Sequence, residues 1–156
     1  MSSYPATTLL LVLLSLFVSG TSDVYAQTQE NGAFELPVPY VSQVPTGDWV
    51  RPWDQACEEA SITMVEGFYQ KKTTIPVTES KQRMQAMIDW EDKTFGKNDD
   101  TNAEETMKTI EAQSSFEAEV VRQPSLEDIR DQLDAQHPVI FLVDMFQFYQ
   151  ETPGKD

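Results

Sequence analysis

The stretch that decides the fold is VPYVSQVPTGDWVRPWDQACEEASITMVEGFYQ, residues 38–70. Its first half cannot be regular. Pro39, Pro45 and Pro52 each lack an N–H and fix φ, and Gly47 adds a turn signal. Residues 42–56 therefore read as a loop. The segment Leu36 to Val41, interrupted by Pro37 and Pro39, reads as an edge or polyproline-like opening. Trp49 and Trp53 lie in the loop, where they either cover the core or wall a groove. The second half changes character. From about Ala56 to Gln70 there is no proline, and Ala60, Met64, Gly67 and Phe68 recur at helical spacing. Cys57 falls in the first turn, on the same stripe by spacing.

Working outward towards the C-terminus, Ile75-Pro76-Val77-Thr78 breaks the chain. Thr78 can cap a second helix to about Trp90, with Met84, Met87 and Ile88 inward. Gly96 to Asp100 is a turn, and Thr101-Asn102-Ala103-Glu104 matches a capping box for a third helix to about Ala112, with Met107 and Ile110 inward. Residues Phe116 to Val121 alternate, with Phe116, Ala118 and Val120 on one face, and read as a strand. Ser125 starts a fourth helix with Leu126, Ile129 and Leu133 inward, ended by His137-Pro138. Val139 to Val143 is an unbroken apolar run and reads as a buried strand. Helices first and strands late give an α+β pattern. Two strands seldom make a stable sheet alone, so the antiparallel sheet reads as incomplete.

Towards the N-terminus, Leu9 to Val18 is an apolar run of ten residues, short for a bilayer span and suited to a signal h-region. Val24-Tyr25-Ala26 offers a cleavage site after Ala26. The expected organisation is a signal peptide over 1–26, a polar linker over 27–35 and one domain over 36–156. The expected location is secreted or extracytoplasmic. Met1 to Thr8 carries no Lys or Arg, so an uncleaved membrane anchor stays open as the alternative. The chain has 156 residues and a net charge of −15, with 26 acids against 11 bases. Such a surface repels phosphate backbones and anionic lipid, which argues against a nucleic-acid partner.

Cys57 is the only cysteine. An exported chain with one cysteine has no internal disulfide, and its odd thiol is either reactive or intermolecular. At a helix N-terminus, free N–H groups and the dipole favour an anion, lower a thiol's pKa and can donate to an oxyanion. Glu58 and Glu59 suit the dipole but oppose a neighbouring thiolate. The oxygen-rich run Asp99 to Glu105 is not a calcium loop, because the sixth position counted from Asp100 is Glu105 and not glycine. No His/Cys cluster suits zinc and no Gly-rich loop suits a phosphate, so no cofactor or metal is expected.

Gln43, Pro45, Trp49 and Cys57-Glu58-Glu59-Ala60-Ser61, with Met64 beyond, resemble the opening of the C39-like cysteine peptidases, relatives of the bacteriocin-leader peptidases. Asp100-Thr101 and Pro138-Val139-Ile140 also fall where that family has a turn and a strand. The resemblance covers roughly residues 36–143 and implies a papain-like fold, a peptide or protein substrate, Cys57 as nucleophile and Gln43 as oxyanion-hole donor, with Gln55 in reserve. It also implies a histidine on its own strand some tens of residues after Pro-Val-Ile, followed by Asp or Asn. Here Asp156 comes thirteen residues after Val143, and the only histidine, His137, precedes that strand. The expectation is therefore a cysteine peptidase domain lacking its C-terminal part. A catalytically dead peptide-binding module of the same fold is the alternative, and an aggregating remnant the third reading. The substrate and the oligomeric state stay open.

Overall fold

The computed structural model describes residues 35–97 and 99–143. Four α-helices follow a 3-10 turn at Trp53–Gln55: α1 Cys57–Tyr69, α2 Val77–Thr94, α3 Ala103–Gln113 and α4 Leu126–Asp134. The expected signal peptide and almost all of the linker lie outside the described residues.

Helix α1 is central. It packs against α2 and the 3-10 turn, and α2 packs against α3. Glu58, Glu59, Ala60, Ile62, Thr63, Val65 and Gly67 are all buried on it, so it is covered on most sides rather than along one stripe. Cys57 is exposed, off the stripe that spacing assigned to it. Helix α2 behaves as expected, with Met84, Met87 and Ile88 fully buried. Each such side chain contributes about 1.5–3 kcal/mol of burial. It begins at Val77 after Pro76 rather than behind a Thr78 cap. The capping box of α3 is shifted by one residue. Asn102 accepts from the N–H groups of Glu104 and Glu105, and the Glu105 carboxylate accepts from the Asn102 N–H. The α4 box joins Ser125 and Asp128.

Two contacts fix how α1 sits. A Cβ on Gly67 would lie 2.6 Å from Pro39 Cγ and 2.7 Å from Ile75 Cδ1, so only glycine allows this approach. Arg83 of α2 donates two hydrogen bonds to Glu66 of α1, at 2.7 and 2.6 Å, and a third to the Gln113 carbonyl that ends α3. One guanidinium thus ties three helices through its planar fork.

The α+β expectation needs correction: among the described residues there is no strand, and the incomplete antiparallel sheet is not formed. The alternation at 116–121 is real, since Phe116 and Ala118 pack on the core while Glu117 and Glu119 are exposed. Alternation chooses a face, however, and a strand also needs a partner for its N–H and C=O groups. Val139 to Val143 is not a buried strand either: Ile140 packs on the core, but Phe141 is 54% exposed, and Leu142 and Val143 are open as well. Leu126, expected inward, is exposed, and α4 buries no residue.

Candidate active site

The loop before α1 positions the thiol. Trp53 is buried in the core, which anchors the 3-10 turn directly before Ala56 and Cys57. Trp49, in contrast, is 70% exposed. Of the two readings of these tryptophans, Trp53 covers the core and Trp49 is left on the surface. Gln43 reaches the same turn, where its Nε2 donates to the Trp53 carbonyl at 3.3 Å. Arg51 pairs with Asp99, and with Asp54 at 3.6 Å, tying this loop to the turn before α3.

Cys57 opens α1. The N-cap is Ala56, whose side chain caps nothing, so the N–H groups of the first turn have no side-chain acceptor there. The residue is exposed, but its Sγ is partly sheltered and donates to Glu58 Oε2 at 2.8 Å. Glu58 is itself only 5% exposed, and its Oε1 accepts from the Thr101 N–H at 3.0 Å, from 43 residues along the chain. That bond carries Asp100 to the site: Cys57 Sγ and carboxylate oxygens of Glu58 and Asp100 lie within 4.8 Å of one another. Both Glu58 oxygens are engaged by the protein, so this cluster acts as an electrostatic surround of the thiol.

The surround decides the protonation state. Burial, the hydrogen bond to Glu58, and the charges of Glu58, Asp100 and Glu59 together push the Cys57 thiol up to about 12. The helix terminus favours a thiolate, and burial together with the acids beside it overrides that preference. Cys57 is thus a protonated thiol at neutral pH.

The other sequence candidates fall elsewhere. Gln55 Nε2 donates to the Asp54 carbonyl. His137 lies after α4, exposed, with its Nδ1 3.1 Å from Gln132 Oε1. Among the described residues, neither shares a hydrogen bond with Cys57. Sequence reasoning missed Asp100 and the burial of Glu58. Nothing local signals either, because both follow from a tertiary hydrogen bond.

Cys57 thus opens a largely buried helix, and the Gln43 amide is bonded to the 3-10 turn just before it. The Peptidase_C39 like family matches residues 35–154, and the chain belongs to that family. No curated protein and no solved structure matches it. Among the described residues, no helix is long and apolar enough to cross a membrane.

Proposed function

We propose that the protein is an exported cysteine peptidase of this family, with a papain-like fold, acting on peptide or isopeptide bonds, and that Cys57 is its nucleophile. The observation that carries this reading is the exposed thiol on the first residue of α1, where Ala56 leaves the helix terminus free for an oxyanion. Sγ attacks the carbonyl carbon, the carbonyl oxygen takes the charge, and the leaving amine departs with a proton to give an acyl-enzyme that water hydrolyses. Gln43 is the second oxyanion donor. Its amide carries two N–H groups, one on the Trp53 carbonyl and one to offer.

The thiol as it stands is at rest. To fire, it needs a neutral base against Sγ that takes the thiol proton, offsets Glu58 and Asp100 as the cation it becomes, and passes that proton to the leaving amine; an imidazole is the group the family resemblance implies. The same two acids favour a basic residue near the scissile bond. Export rests on the apolar run from Leu9 to Val18 and the small residue Ala26.

A second reading, a peptide-binding module of the same fold with an idle thiol, is favoured by the thiol's rise to about 12. Peptide hydrolysis by the full chain and by Cys57→Ala separates the two. The peptidase reading expects the variant to lose all activity with its melt changed by less than about 0.5 kcal/mol, as for an exposed site. A retained rate in the variant would remove Cys57 from the mechanism. Saturable peptide binding without turnover in the wild type, left unchanged by Cys57→Ala, would favour the binding module.

A further inference from the structure

Inside the helical core lies a pair of acids that the proposed chemistry does not use. Glu59 of α1 is 2% exposed and Glu91 of α2 is 0% exposed. Thr109 of α3 donates to Glu91 Oε1 at 2.7 Å. The Oε2 atoms of both glutamates are buried and have no partner. The two carboxyl groups are within hydrogen-bonding reach of each other. Two ionised carboxylates in contact inside a core repel each other and lose their hydration with nothing in return. A proton kept on Glu59 removes a charge and gives the pair a hydrogen bond.

We propose that Glu59 keeps its proton beside Glu91, between α1 and α2, at neutral pH, and that this makes the helical core pH-sensitive, firmest in acid and loosening in alkali. Burial first, then the hydrogen bond and charge of Glu91, hold the Glu59 carboxyl up at about 9. The charges that act on it from the packed elements are acidic: Glu91 from α2 and Glu58 from α1. Helix α3 presents the neutral Thr109 hydroxyl. Among the described residues, neither Glu59 nor Glu91 belongs to an ion pair. The folded chain therefore keeps a proton that the unfolded chain gives up near the ordinary carboxyl value of 4.5. The stabilisation from this proton is complete below that value and is lost as pH rises through about 9. The test is independent of the peptidase reading, since it reads the stability of the core and not the chemistry of the thiol.

Urea unfolding of the full chain between about pH 5 and pH 9 tests it, comparing wild type with Glu59→Gln and with the surface control Glu119→Gln. A net charge of −15 makes every variant respond to acid, so the difference between curves is the readout. The unfolding constant of the wild type is expected to rise by up to about tenfold per pH unit more than that of Glu59→Gln. The Glu119→Gln curve should follow the wild type. Parallel wild-type and Glu59→Gln curves would overturn the proposal. If Glu59→Gln does not fold, the infrared spectrum of the wild type decides. A protonated carboxyl band present at pH 7 and lost in alkali supports the proton kept on Glu59, and its absence at pH 7 from the folded protein refutes it.

Discussion

Met87 on α2 is fully buried, whereas Leu126, at the head of α4, is 74% exposed. Both are large apolar residues placed inward by helical spacing. The difference lies in what surrounds each helix. Helices α1 to α3 interlock, with Arg83 joining all three and Gly67 admitting Pro39 and Ile75 against α1. Among the described residues beyond α3, Phe116, Ala118 and Ile140 pack on the core, while α4 buries no residue. An amphipathic pattern is thus an offer of a face, which only a second element can take up.

The sharpest way to break this comparison is to truncate one residue on each side of it. Met87→Ala is expected to lower stability by about 2–5 kcal/mol, the usual range for a fully buried methionine. Leu126→Ala should change it by less than about 0.5 kcal/mol. Equal losses in denaturant midpoint would show that α4 is packed as firmly as α2. A smaller effect sharpens the account of α1. Gly67→Ala ordinarily gains about 1 kcal/mol of helix propensity. Here the added methyl would meet the stiff ring of Pro39 at 2.6 Å, so a net loss of about 1–3 kcal/mol is expected. A rise in melting temperature would contradict that packing.

These contrasts also explain how much was legible in the sequence. Helix α2 was readable because one face is apolar and the other charged, and Met84, Met87 and Ile88 stand where spacing places them. Helix α1 was readable as a helix, but not in its orientation, because a helix buried on most sides has no single stripe. Glu58 and Glu59 look like solvated first-turn acids and are buried. The strands at 116–121 and 139–143 were over-read, since alternation and apolar runs describe faces and not pairing partners. In the site, Cys57 at a helix start was legible from local signals and the family resemblance. The carboxylates that govern its protonation were not, because Asp100 arrives through the bond between Thr101 and Glu58.

The central claim is that burial and the surrounding acids, Glu58 foremost, hold Cys57 as a protonated thiol. The rate of its alkylation by iodoacetamide against pH, in the wild type and in Glu58→Gln, tests this most directly. The account predicts slow wild-type alkylation at neutral pH, with a rate still climbing well above the free-cysteine value of about 8.5. It predicts a Glu58→Gln profile drawn down towards that value. A wild-type thiol that already reacts fully below about pH 8, or a profile that Glu58→Gln leaves unmoved, would contradict it.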